Sequence, residues 1–310
     1  MTPIEQLKIP INLYSRYIKE TYNERIQKIP IDAGFTCPNR DGNKGVGGCI
    51  YCSNNSFSFN TSKTELTDQI TRGIAYYQKR YKNLKKFYIY FQSYSNTYAP
   101  IEELAKLYKN ALSIDGVTGL CIGTRPDCVD KDKIALLDEL GKNNDITIEY
   151  GIESIHDSTL KKINRCHDYQ CFEDAVLMTS NKNIKICAHI ILGFPWEDRT
   201  KMLASAKKLS NLPLDFLKIH QLHIVKNSIM ATQYLKNEFE LLSKEEYLDI
   251  LCEYLSYLNP NIIIQRLFGN APSEEMVSPR WDLTSSELLL ELSKLMHKKN
   301  IYQGKYFLPN

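Results

Sequence analysis

The residues best suited to chemistry are three cysteines near the amino terminus. Cys37, Cys49 and Cys52 lie in the run from Gly34 to Cys52 with the spacing C-x11-C-x2-C. Thiolates are soft ligands, suited to zinc and required by iron–sulfur clusters. Three of them on a cubane leave one iron free for a small molecule, and an open iron means reactivity. Structural zinc instead closes a tetrahedron with a fourth Cys or His. No fourth ligand follows at knuckle spacing, which leaves that task to the distant His167 or His189. Gly42, Gly45, Gly47 and Gly48 let the backbone bend tightly around a bulky group.

The remaining six of nine cysteines, Cys121, Cys128, Cys166, Cys171, Cys187 and Cys252, are scattered singly, as buried thiols usually are. An odd count cannot pair completely, which fits a reducing cytoplasm. The start, Met1 to Pro10, carries no signal-peptide core, and the most apolar stretch, Ile184 to Phe194, is too short to span a bilayer. With 39 basic and 36 acidic residues the net charge of +3 names no partner. A local patch of Lys79, Arg80, Lys82, Lys85 and Lys86 beside Tyr76, Tyr77 and Tyr81 is a mixture that can grip phosphates, but a solvated helix end is the better reading of it.

The elements that must position the cysteines alternate. Short β-branched and aromatic runs at Lys28 to Ile31, Lys86 to Gln92, Gly119 to Thr124, Ile146 to Gly151, Lys185 to Leu192 and Phe216 to His223 predict six strands. Between them, apolar residues at three- and four-residue spacing predict helices at Leu66 to Lys82, Ile101 to Leu112, Lys131 to Gly141, Tyr169 to Ser180 and Arg199 to Leu209. This is an α/β pattern, a partial (β/α)6 barrel over residues 1–223 with an amino-terminal extension, and the cysteine loop leaves the carboxyl end of its first strand, where barrel active sites sit. From 224 to 310 the rhythm changes to an α/β appendage packed on the barrel and not independent of it. Ser243 with Glu246 and Thr284 with Glu287 form capping boxes for two helices there, and Asn261 to Leu267 reads as one more strand. In the sixth barrel strand, Lys218, His220 and Leu222 share one face while Ile219, Gln221 and His223 share the other.

From about Ile31 to His223 the sequence resembles the radical S-adenosylmethionine (SAM) superfamily, and within it the elongator-like group with a long first cysteine spacing. Within that group it looks like the YtqA/YhcC proteins of MnmL type, and the likeness continues through Gln265-Arg266-Leu267 and Ser278-Pro279-Arg280-Trp281. The resemblance implies a [4Fe-4S] cluster on Cys37, Cys49 and Cys52, with SAM chelating the open iron. Gln92 and Ser93, at the end of the second strand, then meet the SAM amino group. Thr124-Arg125-Pro126-Asp127 resembles the group's TRPD signature and brings Arg125 to the barrel mouth. Glu149 and Glu153 resemble ribose-binding acidic positions that can point to one face of the fourth strand and its exit, although many relatives carry Gln at the second. Arg165 matches an arginine expected to face the SAM carboxylate or ribose, and Gly193 the glycine beside the adenine.

The activity implied is reductive cleavage of SAM, with an electron from a flavodoxin or ferredoxin, to a 5′-deoxyadenosyl radical that takes a hydrogen atom from the substrate. The implied substrate is the tRNA anticodon loop, where carboxymethylaminomethyl(thio)uridine at the wobble position becomes aminomethyl(thio)uridine. The elongator-like relatives add an acetyltransferase domain, for which this length leaves no room. A radical SAM reaction on another RNA, a peptide or a small metabolite would share every barrel motif, and a non-enzymatic zinc- or RNA-binding module is the remaining alternative.

Overall fold

In a computed structural model, which describes residues 9–53, 64–269 and 271–309, period-two alternation along the strands decides the architecture. Most of the stretch Met1–Pro10 lies outside the described residues. Seven strands, β1 (Ile26–Ile31), β2 (Lys86–Phe91), β3 (Val117–Thr124), β4 (Asp145–Glu153), β5 (Lys185–Leu192), β6 (Phe216–Gln221) and β8 (Ile263–Arg266), form one parallel sheet in that order. Helices Leu66–Arg80, Ile101–Leu112, Lys131–Gly141, Tyr169–Thr179 and Arg199–Leu209 make the crossovers, as parallel pairing demands. Ile29, Phe87, Ile89, Phe91, Leu120, Ile122, Ile148, Ile186 and Ile219 are buried in the core with Leu104, Tyr108, Ile134, Phe172, Val176 and Leu209 of these helices. Alternate residues, among them Lys28, Tyr90, Cys121, Glu149, Cys187 and Lys218, turn to the other face.

The sheet is curled into a half-barrel. Lys28 on β1 and Gln265 on β8 stand at opposite ends of the strand order, yet Lys28 Nζ donates to Gln265 Oε1 at 2.8 Å. The edge of β8 is itself covered, because Ile264 N donates to Asn12 O at 2.7 Å and Leu13 bridges Ile264.

Helix Tyr14–Tyr22 was not apparent from apolar periodicity because its buried face is largely tyrosine. Tyr14, Tyr17 and Tyr22 pack with Ile18 against Tyr88, Tyr90 and Cys121, closing the lumen near the start of the strands. Tyr22 and Tyr88 both donate to Asp145 at 2.8 Å, pinning this helix to β4.

After β6 a two-residue strand, β7 (Ile224–Val225), pairs antiparallel with β9 (Met276–Ser278). The sixth strand is therefore shorter than expected: regular alternation ends at Gln221, so Leu222 enters a separate apolar cluster with Ile191, Phe194 and Ile224. Both expected capping boxes form, at the starts of Lys244–Tyr257 and Ser285–Lys298. The strand expected between these helices is β8, which completes the main sheet.

Candidate functional site: a cysteine loop over a charged barrel lumen

The cysteine loop leaves β1 at its carboxyl end and is held shut by backbone bonds. Arg40 N donates to Cys37 O at 2.8 Å, Gly48 N to Asn39 O at 2.8 Å and Cys52 N to Cys49 O at 3.0 Å. Its far side rests on the segment 163–166: Ile50 N donates to Ile163 O at 3.1 Å, Asn164 Nδ2 to Gly48 O at 2.9 Å, and the buried Asn39 Nδ2 to Asn164 O. A Cβ at Gly45 would overlap Asn39 Oδ1 and come within 3.0 Å of Cys166 Sγ, so this position has no room for a larger residue.

The three thiols are free and close enough to influence one another. Burial pushes the Cys52 thiol up to about 11, with Cys49 adding to the effect and Arg40 opposing it. Donors surround the sulfurs: Asn39 Nδ2 and Arg165 Nη1 each reach Cys49 Sγ at 3.6 Å, and Arg40 Nη2 reaches Cys52 Sγ at 3.6 Å. Thiolates need this environment, since N–H donors and cations offset charge that burial would otherwise disfavour. The donor set therefore fits a metal–sulfur cluster held by Cys37, Cys49 and Cys52.

The histidines that a closed zinc site would require are engaged elsewhere. His167 Nε2 accepts from Arg165 Nε at 3.0 Å, and its Nδ1 faces Asp168 O at 3.1 Å. Burial and the adjacent Arg165 hold its imidazole neutral. His189 Nε2 lies 2.9 Å from Glu149 Oε2.

Arg165 connects the loop to β4. Besides Cys49 it meets Gly151 O and Glu153 Oε1, the latter at 3.4 Å. β4 bulges between Gly151 and Glu153, and Glu153 adopts φ 71°. Bulges re-aim side chains near active sites. Here the bulge sets Glu153 beside Arg165 and Tyr51; burial raises its carboxyl above the ordinary value while Arg165 opposes that rise. A Cβ at Gly151 would lie 2.6 Å from Glu153 Oε1 and 2.8 Å from Arg165 Nη2, so glycine is what makes room for this pair.

Arg125 is nearby, donating to Arg165 O at 2.7 Å and gripping Asp127 at 2.8 and 2.9 Å. Its Nη1 is buried without a partner among the described residues. Against the cost of burial, Arg125 and Lys44 hold the Asp127 carboxyl at about 2. Gln92 follows β2 with its N–H on Ile31 O at 3.4 Å, and Ser93 beside it is buried. Gly193, at φ 99°, ends β5. Leu242 and Trp281, both from the carboxyl-terminal part, line the small cleft above it with Leu192, Gln221 and Leu222.

Glu149 is placed differently from Glu153. Deep in the lumen it accepts from Lys28 at 3.1 Å, from Lys218 and from His189 at 2.9 Å. Burial opposes its charge, but Lys218, Lys28 and His189 outweigh burial and keep it well below the ordinary carboxylate range. The expectation that both carboxylates serve one ligand gives way to a division, with Glu153 at the cysteine loop and Glu149 ordering lysines below it. Glu149, Cys187 and His189 are close enough to hold a metal ion, yet two ammonium groups on that same carboxylate disfavour a cation there. The basic patch around Lys79 to Lys86 lies at the amino-terminal end of β2, on the opposite rim from Cys37, in keeping with a solvated helix end.

A parallel half-barrel carrying a three-thiol loop at the carboxyl end of its first strand defines a class of cluster-dependent enzymes. The chain belongs to the radical SAM superfamily: that family's model matches residues 37–209, and the Radical_SAM C-terminal domain matches residues 214–298. It is a SAM-dependent enzyme whose cofactors are a [4Fe-4S] cluster and SAM. It is 36% identical to YtqA of Bacillus subtilis over 294 residues, 94% of this chain and 91% of the relative. With YhcC of Escherichia coli it shares 30% over 308 residues, 98% and 99% of the two chains. A tRNA uridine(34) acetyltransferase of Methanocaldococcus infernus is 23% identical over 204 residues, 65% of this chain but 37% of that one. The archaeal Methanocaldococcus infernus Elp3 structure superposes with a TM-score of 0.67 at 18% identity, over 90% of this chain and 64% of that chain. The present chain thus spans less than two thirds of Elp3, and the likeness is one of fold. Among the described residues no helix is long and apolar enough to cross a membrane.

Proposed function

We propose that this enzyme modifies the wobble uridine of tRNA, as an MnmL-type member of the YtqA/YhcC group, converting carboxymethylaminomethyl(thio)uridine to aminomethyl(thio)uridine in the cytoplasm. The observation that carries this reading is the cluster loop at the mouth of a half-barrel, in a chain related to an enzyme named for uridine 34 of tRNA. When bound, the [4Fe-4S] cluster and SAM would supply hydrogen-atom abstraction and, with the substrate's second electron returned to the cluster, a net two-electron oxidation at the expense of SAM; one water would then release the two-carbon unit as an oxo acid.

The chain's own residues hold and orient. Cys37, Cys49 and Cys52 anchor the cluster while Arg165, Arg40 and Asn39 donate to their sulfurs. Glu153 presents an acceptor to the ribose of SAM and Arg165 the N–H left on its Nη1 to the carboxylate, in reach of Arg125. Gln92 and Ser93 take the amino group, and Gly193 the adenine. Leu242 and Trp281, over the end of β5, exclude water from the adenine side. Anticodon-loop bases are unpaired, so a wobble nucleotide reaches such a mouth by extrusion without melting a duplex. A flavodoxin or ferredoxin primes the cluster with its first electron.

The test is the nucleoside profile of tRNA from cells with and without the gene. Loss of aminomethyl-type wobble nucleosides with accumulation of the carboxymethylaminomethyl form is expected. An unchanged profile, with SAM cleavage intact in the purified enzyme, would redirect the substrate to another RNA, a peptide or a metabolite.

A further inference from the structure

The lumen beneath the cysteine loop carries more positive charge than its own acid can balance. Lys28, Lys218 and Arg266 converge there, and the carboxylate hydrogen-bonded among them is Glu149. Lys218 and Arg266 are register partners on β6 and β8, and the strands slip between Leu217 and Lys218. This irregularity lets Gln265 and Arg266 both face inward, the former to Lys28 at 2.8 Å. Glu149 occupies both lysines, whereas among the described residues no acceptor lies on the Arg266 guanidinium. An excess of positive charge remains even if burial strips the proton from Lys218.

Two further polar atoms are left open beside it. His220 Nε2 and Gln265 Nε2 are buried without hydrogen-bond partners among the described residues. Buried polar groups are normally satisfied, so unpaired ones call for an explanation, of which a bound group is one. Burial, reinforced by Arg266, keeps His220 and His223 neutral, so each ring adds one N–H and one acceptor nitrogen but no charge. Lys28, His189, His220, Gln265 and Arg266 each keep part of their surface accessible, over the enclosed Glu149 and Lys218.

We propose that Arg266, Lys218 and His220, with Gln265, form an oxyanion pocket in the barrel lumen that receives a carboxylate on the reacting group of the substrate. The proposal rests on the tRNA reading above for the identity of that group, and it makes the lumen the element that tells the carboxylated nucleoside from its product. Arg266 supplies the fork, since a guanidinium meets a carboxylate with two parallel bonds. Glu149 is the positioning residue that holds both lysines upright. Once the carboxylate departs, the aminomethyl product brings a cation into a cationic pocket, which favours release.

The experiment is titration calorimetry on the cluster- and SAM-loaded protein with three probes: 5-carboxymethylaminomethyluridine, 5-aminomethyluridine and uridine 5′-monophosphate. The wild type is expected to prefer the first by about 10-fold or more over the second, the size of one charge-assisted contact. R266Q should erase that preference and R266K should restore part of it, with a parallel rise in KM for tRNA. Equal binding of the first two probes by the wild type overturns the proposal, as does undiminished preference in R266Q. Uridine 5′-monophosphate binding as tightly as the first probe, and equally weakened in R266Q, would assign the pocket to a backbone phosphate and overturn the carboxylate assignment. A wild type that prefers the carboxylated probe in cells whose tRNA profile does not depend on the gene would refute the tRNA reading and leave the pocket standing.

Discussion

Arg165 Nη1 lies 3.6 Å from Cys49 Sγ while its Nη2 lies 3.4 Å from Glu153 Oε1, so one guanidinium joins the cluster loop to the bulged end of β4. A lysine cannot bridge both, because its ammonium is a point charge on a flexible stem. R165K should assemble less cluster and bind SAM at least about 10-fold more weakly, the cost of about 1.4 kcal/mol of lost charge-assisted bonding. Iron and sulfide per chain, with SAM affinity measured on the loaded fraction, check this; wild-type values for both would remove Arg165 from the site.

The ligand assignment predicts a uniform failure. C37A, C49A and C52A should each lose bound iron and the ability to form 5′-deoxyadenosine, since every variant leaves two anchors where the cubane needs three. C166A is the control: Cys166 is exposed and, among the described residues, its thiol bonds only to Asn164. Iron retained in any of the first three, or a metal saturated by four side chains, would overturn the cluster loop.

Glu149 makes stability depend on pH with a defined sign. Its carboxyl in the folded protein is held well below its ordinary value of 4.5, so the stabilisation is full above that value and drains away as pH falls toward the folded one. E149Q should lower stability by about 3 kcal/mol, because it leaves the half-buried Lys28 and the buried Lys218 facing each other without their shared counter-charge. It should also flatten the acid limb of the stability curve. Urea denaturation of the wild type and E149Q from neutral pH down through the ordinary carboxylate range measures both effects. Parallel acid limbs would show that Glu149 does not carry the charge.

The division between what was legible and what was not follows from sequence separation. The cysteine loop is written in 16 consecutive residues, Cys37 to Cys52, so its spacing could be read directly. The strands and capping boxes are equally local. The lumen is not: Lys218 reaches Glu149 across 69 residues and Lys28 reaches Gln265 across 237. Alternation placed Lys218 and His220 on one face, but their partners depend on how far the sheet curls. A usable signal was present, since Lys28, Glu149 and Lys218 each interrupt an apolar strand at an inward position. The bulge at Gly151 and Glu153 was hidden as well, because a one-residue shift in register leaves no mark in composition.

The cover over Gly193 gives the last prediction. Leu242 and Trp281 come from segments outside the barrel repeats and line the cleft at the end of β5, where a Cβ on Gly193 would meet Leu242 Cδ1 at 3.2 Å. Trp281 also packs its ring 5.4 Å from that of the buried Tyr247. Truncating it should open a path for water to the adenine side of the site and cost about 3 kcal/mol in packing. W281A is therefore expected to weaken SAM binding and to raise the number of SAM molecules cleaved per substrate turned over. W281F, which keeps a ring against Tyr247, should recover most of the coupling. The comparison is made by counting 5′-deoxyadenosine against modified nucleoside in the same reaction. If W281A loses stability but keeps the wild-type ratio, the tryptophan is a packing residue and the cover lies elsewhere.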